Sequence, residues 1–396
     1  MSAAFDIEGI RARFPALART ENGLQVAYLD GPGGTQTPQS VIDAMSVALS
    51  EGISNLGGDF GASRAADEIT DGARAAMGRM FGADPGSISF GQNMTSITFA
   101  MSRALARTWD SGDSVVLTSL DHDANFTPWD MAADDAGVHV RVADFDVETG
   151  ILDPEAVIEK IDRSTRLVAV CLASNSLGTV VDVAPIAAAA HEVGAILYVD
   201  AVHGAPHLKI DVAAIGCDLL VASAYKFFGP HTGALFGRPE LMAELEAYKV
   251  RPAPSDPPEK WETGTQSFES LAGVAAAVTY LEEVGHESIA AHETVLGQRF
   301  LDGIAGMGHV RLYGPGEMGP DRASTFAIAV QGSNPDSVAA EMTAAGVYVW
   351  SGHYYAVNVM ERLGVLDSGG LVRIGFVHYN TIEEVDRALA VLESLG

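Results

Sequence analysis

Residues 198–207 read YVDAVHGAPH, and residues 217–233 read CDLLVASAYKFFGPHTG. In each, a short apolar run ends on one charge, Asp200 in the first and Lys226 in the second. Two such runs in a parallel sheet put both charges at one rim, which is where open α/β sheets carry their sites.

Working upstream, Ile186–Val193 reads as a helix, and RLVAVCLAS reads as a strand ending at Asn175, with SNSLGT as a loop. Asp153 opens a helix to Lys160, VHVRVADF is a strand, and a helix lies near Trp129–Ala136. The strand Ser114–Thr118 leads into the polar loop SLDHDANFTPW. A strand at Ile88–Phe90 turns at Gly91 and Gln92 into a helix that starts near Asn93 or Met94 and runs to about Thr108. The unpaired N–H groups of such a helix start can hold a phosphate. Neither GxGxxG nor GxxxxGK[ST] occurs. Arg64–Phe81 is helical with Gly82 as its stop, and a helix fits near 38–50. This repeated strand–helix alternation predicts a mainly parallel, helix-covered sheet.

Downstream, RPAPSDPPEK carries four prolines and reads as a boundary or an active-site loop. Helices then run over Leu271–Val284 and Ser288–Ile304, followed by a strand–helix alternation that predicts a small α+β domain. The expected division is an N-terminal arm over 1–25 packing with the small domain, a large domain over 26–255, and a linker helix with the small domain over 256–396.

The net charge of -28 opposes binding to phosphate backbones, so no nucleic-acid partner is expected. Both cysteines, Cys171 and Cys217, sit in apolar runs, which fits a reducing compartment rather than a disulfide scaffold. No secretory signal and no membrane span is evident, and a cytoplasmic location is expected.

The chemistry follows from the two charges. A lysine amine can join an aldehyde as a Schiff base if its pKa is lowered, and a carboxylate can hold a pyridine nitrogen protonated. We therefore read Lys226 as the anchor of pyridoxal 5′-phosphate and Asp200 as the partner of its ring nitrogen. A solvated loop lysine and a strand-end aspartate are the alternatives. Arg373, on the apolar strand LVRIGF, needs a partner, either a substrate carboxylate or a structural ion pair. His122 between Asp121 and Asp123 reads as a surface histidine or a metal ligand when taken alone, and no metal is expected.

The segments YLDGPGGTQTP, GQNMTS, DHDAN, SNSLGT, VDAVHG, SAYKFFGPHTG, WETGTQ and LVRIGFVHYNT, in this order, resemble the class V aminotransferase family of fold-type I pyridoxal-phosphate enzymes. The cysteine desulfurases are the nearest familiar branch, and the resemblance spans about residues 26–395. It implies an α/β fold with a large domain built on a mainly parallel seven-stranded sheet and a small C-terminal domain. Carried over by position, it implies that Lys226 is the anchor, Asp200 the ring-nitrogen partner and His122 the imidazole stacked on the cofactor. Asn175 matches the asparagine near the cofactor oxygen and the substrate carboxylate, and Arg373 matches the carboxylate clamp. Asn93, Met94, Ser223 and His203 would form the phosphate cup, His203 standing where the family often has glutamine. Thr265 would reach the phosphate from the other subunit, which implies a homodimer.

The desulfurase pattern breaks in one place. That chemistry needs a mobile thiol in a small-domain loop, and the corresponding loop here reads VWSGHYYAVN, with Tyr355 at the expected position and Tyr354 before it. No cysteine follows Cys217. Side-chain selection is assigned to Tyr28, His353, Tyr354, Tyr355 and the FGASR loop. Within that loop Arg64 either reads a distal carboxylate or belongs to the dimer surface. The resulting expectation is an enzyme acting at the α-carbon of an amino acid, leaning to a C–S β-elimination lyase on a cysteine-like substrate. The alternatives are an aminotransferase, an amino-acid epimerase, a desulfurase using an unrecognised thiol, and a non-catalytic partner-binding protein.

Overall fold

A computed structural model of the protein describes residues 5–396. Its centre is a seven-stranded sheet. In spatial order the strands are Ile88–Gly91, Gly233–Gly237, Leu219–Ser223, Ile196–Asp200, Thr165–Cys171, Ser114–Thr118 and His139–Ala143. Every pairing is parallel except the two made by Gly233–Gly237. The central strands are apolar through their middles, with charges only near their ends, such as Arg166 and Asp200, because both faces are buried under helices. The apolar side chains divide into two large clusters, with alternating residues such as Leu197 and Tyr198 going to different ones.

The register positions the chemistry. Cys171 pairs with Asp200, and Asp200 pairs with Val221, so the strand ends that lead to Asn175, Asp200 and Lys226 lie side by side. Strand Gly233–Gly237 is an addition to the sequence reading, which assigned no element there. GALFG is five uncharged residues with a glycine at each end, so it reads as the continuation of a turn, but its edges are satisfied by antiparallel bonds to both neighbours. Gly233 is needed for close approach, since a Cβ there would meet the Asn93 backbone carbon at 2.6 Å.

A second, four-stranded antiparallel sheet has the order Val310–Tyr313, Thr325–Val330, Leu371–Gly375, Trp350–Gly352. It carries its own apolar cluster against helices His286–Ala305 and Ile382–Ser394. The described part of the N-terminal arm, from residue 5, lies against the 378–384 segment, and residues 1–4 lie outside the described residues. Arg11 Nη1 donates to Tyr379 O at 2.7 Å and pairs with Glu384 at 2.9 Å. The proline-rich segment is held at its end by Glu262, which bonds Arg74 at 2.8 Å and accepts from Phe90 N at 3.0 Å. Among the described residues, no helix is long and apolar enough to cross a membrane.

The two sheets meet at Gly178, in the SNSLGT loop. Its φ is +74°, and an added Cβ would lie 2.3 Å from Thr325 O and 2.9 Å from Ala323 O. Both obstacles are backbone, so they cannot rotate away. Gly178→Ala is expected to lower stability by about 2–4 kcal/mol through overpacking and left-handed strain. A urea midpoint that does not fall would contradict this.

Candidate active site

A cleft of about 1000 Å³ opens at the rim where the strand ends meet the second sheet. Its walls include Asn93, Met94, His122, Asn175, Asp200, His203, Ser223, Lys226, His353, Tyr354, Tyr355 and Arg373. Sequence residues scattered over 281 positions are thus brought to one cavity. Tyr28, Arg64 and Thr265 are not. Tyr28 is buried edge-on against Tyr348 at 5.5 Å, and its carbonyl accepts from Asn380. Tyr28, expected in side-chain selection, lies on a two-residue strand paired with Val347–Tyr348, and its ring is turned into the packing rather than onto this chain's cleft wall. Arg64 and Thr265 are exposed and outside this chain's cleft.

Lys226 follows strand Leu219–Ser223 on a short 3-10 turn, and its Nζ donates to Pro32 O. Burial, and then the guanidinium of Arg373, pull its amine down to about 7. Asp200 ends its strand buried, and Oδ1 accepts from Val202 N at 2.8 Å. Burial pushes its carboxyl up to about 6 against the opposing pull of the Val202 amide and Lys226.

His122 caps a short turn, with Nδ1 accepting from Ala124 N at 3.0 Å, so its neutral ring carries the proton on Nε2. Burial, with Lys226 and Arg373 adding to it, holds the imidazole down at about 3. Asn175 donates from Nδ2 to Tyr354 O at 2.9 Å, while its Oδ1 is buried without a partner. Arg373 donates from Nη1 to Asn175 O at 2.9 Å and lies 4.5 Å from the Tyr354 ring centroid, and its Nε is buried and unpartnered. Among the described residues no carboxylate forms an ion pair with Arg373. An arginine left this way is prepared for an incoming anion.

The helix start also has a vacancy for a donor-seeking group. Helix Met94–Ala106 is capped by Asn93, whose Oδ1 accepts from Ser96 N at 2.9 Å. Met94 N donates to Ser223 Oγ at 3.0 Å, and Ile97 N bonds Asn93 O. Thr95 N–H is left over in that first turn, facing the cleft. The sequence reading named Asn93 and Met94 for this corner. Asn93 Oδ1 and Met94 N–H are engaged, while among the described residues Asn93 Nδ2 has no partner, and Thr95, one residue on, adds a first-turn donor. His203 lines the same cleft, but its Nε2 is hydrogen-bonded to Thr325 Oγ1 at 3.1 Å, toward the second sheet.

Three other features had no clear sequence signal. Pro32 contributes only a carbonyl, which no side-chain pattern reveals. Asp30, whose Oδ1 is buried without a partner, is pushed up to about 6 by burial while Arg373 and Lys226 oppose it. Trp350 lines the cleft from the edge strand of the second sheet. Its placement opposite Arg373 could have been inferred only from the strand pairing.

The rim is built by residues 353–355. Tyr354 and Tyr355 have φ of +53° and +57°, a conformation costly for bulky residues. It is held by bonds from several directions. Tyr354 O–H donates to Leu371 O, Asp123 N donates to Tyr355 O at 2.6 Å, and Tyr355 N donates to His353 Nδ1 at 3.1 Å. The Tyr355 ring stacks on His122 with centroids 5.6 Å apart.

The aminotransferase class-V family model matches residues 27–388. A probable cysteine desulfurase 1 of Mycobacterium leprae (strain TN) is 32% identical, covering 100% of this chain and 66% of that protein. A cysteine desulfurase of Yersinia pestis (strain Pestoides F) is 31% identical, covering 99% of this chain and 98% of that protein. Among solved structures, the apo cysteine desulfurase from Thermococcus onnurineus NA1 matches with a TM-score of 0.92 at 28% identity, covering 100% and 98% of the two chains. The chain spans only 66% and 58% of the length of two mycobacterial relatives.

Members of this family use pyridoxal 5′-phosphate, and the cleft fits it on chemical grounds. It offers an amine of lowered pKa, a buried carboxylate for a protonated ring nitrogen, and an open N–H at a capped helix start for the phosphate. From the matched family model, the relatives and this donor set, we conclude that the chain belongs to the class V aminotransferase family of pyridoxal-phosphate-dependent enzymes.

Proposed function

We propose that this enzyme is a C–S lyase that eliminates a sulfur substituent from the β-carbon of a cysteine-like amino acid. The observation that carries this reading is a complete amino-acid site, Lys226, Asp200, Asn175 and Arg373 in one cleft, whose one lining thiol among the described residues, Cys171, is only 2% exposed and sits on the floor of the cleft rather than on a mobile loop. Cys171 and Cys217 are both buried, and burial pushes both thiols up, the second to about 12. Such thiols are poor nucleophiles, so sulfur would leave the substrate without being passed to the protein.

In this proposal Arg373 and Asn175 hold the substrate carboxylate. Lys226 takes the proton from Cα and returns one to the departing sulfur, which leaves with the C–S electron pair. When bound, the cofactor supplies an electron sink at Cα. Asp200 would keep its ring nitrogen protonated, His122 would pack on its ring, and Thr95 and Ser223 would hold its phosphate. Thr265 is exposed on this chain, so its use at the phosphate would require a second copy. A homodimer in the cytoplasm is part of the same proposal.

Product analysis decides between the reactions. Elimination yields a keto acid and free ammonia and leaves the aldehyde form of the cofactor. Recovery of the amine form would instead make the protein an aminotransferase, and return of the inverted amino acid would make it an epimerase.

Capture of the cofactor provides a pH test. Only the neutral amine attacks an aldehyde, so the rate for the cofactor-free protein should rise with pH through about 7 and level off above it. An ordinary lysine would keep rising toward about 10.4. Stopped-flow absorbance at the cofactor band measures this.

A further inference from the structure

The wall that would face the substrate side chain is rich in aromatic rings, and among the described residues it carries no arginine or lysine beyond the two already assigned. Among the described residues, Arg373 and Lys226 are the only arginine and lysine lining the cleft. Under the proposed reading one takes the α-carboxylate and the other takes the cofactor. Arg64, the sequence candidate for a distal carboxylate, is outside the cleft. The remaining carboxylate on the wall is Asp123, whose Oδ1 accepts from Thr127 Oγ1 at 3.0 Å. An anionic side chain would face this carboxylate with no second arginine or lysine among the described lining residues to offset it; the histidines on the wall are His231, stacked on Tyr225, and His353, whose Nδ1 accepts from Tyr355 N.

The apolar rings lie where such a side chain would extend. Trp350 and Arg373 are directly opposed in the antiparallel register, so their side chains leave the same face of the second sheet. The indole lies against Gly33, where an added Cβ would come within 2.4 Å of its Nε1. Gly33 follows Pro32, whose carbonyl takes the Lys226 amine. The indole thus lines the same cleft as the carboxylate clamp and the lysine while remaining 54% exposed. Tyr355 is 66% exposed over His122, and His231 stacks on Tyr225 at 4.9 Å. A cysteine side chain of one carbon and one sulfur is too short to cover these rings.

We propose that the substrate is a cysteine S-conjugate carrying a bulky apolar or aromatic group on sulfur, which packs against Trp350 and Tyr355. This rests on the lyase reading above. The balance needs no oxidant or reductant. The Cα–H bond and the Cβ–S bond break, sulfur departs with its electron pair and takes a proton, and water converts the remaining dehydroamino acid to pyruvate and ammonia.

The test uses the holoenzyme with S-phenyl-, S-methyl- and S-carboxymethyl-L-cysteine, and reads thiol release, pyruvate and the shift of the cofactor band on binding. We expect kcat/KM for the S-phenyl compound to exceed that for the S-carboxymethyl compound by at least about tenfold, the scale of one aromatic contact plus the ring area it covers. Trp350→Ala should shrink the S-phenyl to S-methyl ratio several-fold, and Trp350→Phe should restore most of it. Equal or better turnover of the S-carboxymethyl compound, or a ratio unmoved by Trp350→Ala, would overturn the proposal. If none of the compounds releases thiol, the lyase reading fails. Tighter S-phenyl binding, seen in the cofactor band, would then still support the side-chain preference, and equal binding would end both.

Discussion

Lys226→Ala should fold, bind the cofactor weakly and noncovalently, and lose at least ~10³-fold in turnover, the scale expected when one group serves as both anchor and proton carrier. Borohydride should fix no label at position 226, where the wild-type protein should be labelled. The size of the effect follows from what surrounds the residue. Among the described residues Lys226 is the one lysine lining the cleft, and its amine is brought down to about 7 by burial and Arg373. No nearby amine can replace it. Lys226→Arg should fare no better, because a guanidinium does not give up its proton and cannot attack an aldehyde. Substantial turnover by either variant would remove Lys226 from the chemistry.

Arg373→Ala should raise KM for the amino acid by about 10²–10³-fold, equivalent to roughly 3–4 kcal/mol, the range for truncating one side of a buried, hydrogen-bonded charge pair. The guanidinium is buried, spends Nη1 on Asn175 O, lies on the Tyr354 ring, and keeps Nε without a partner. Its positive charge also restrains neighbours. Removing it should raise the Lys226 amine from about 7, since Arg373 is the second-largest cause of that shift. The pH at which the cofactor is captured should move up with it. Arg373→Lys should recover part of the KM but not the bidentate geometry. An unchanged KM would make Arg373 a structural cation.

Much of this site was legible in the sequence because its parts sit at ends of elements. Asp200, Asn175 and Lys226 each end or follow an apolar strand and Asn93 opens a helix, so periodicity put Asp200 and Lys226 on one rim, while the roles of Asn175 and Asn93 came from the family resemblance. The antiparallel strand Gly233–Gly237 was hidden by its glycines. The open donor at Thr95 was hidden because hydrogen-bond occupancy, not residue type, separates it from Met94. The packing of the Tyr28 ring on Tyr348 was not legible, because its neighbours in sequence approach the cleft. Trp350 was missed because only the pairing with Leu371–Gly375 reveals which way it faces.

The fastening of residues 353–355 bears on how molecules get in and out. The carbonyls of Tyr354 and Tyr355 are tied to Asn175 and Asp123 on the large sheet's side, and the Tyr354 hydroxyl is tied to Leu371 on the other. A flap cannot swing there without several of these ties parting together. Traffic through the mouth should instead follow the swivelling of two solvent-facing rings, Tyr355 and Trp350, which is a nanosecond affair rather than a millisecond one.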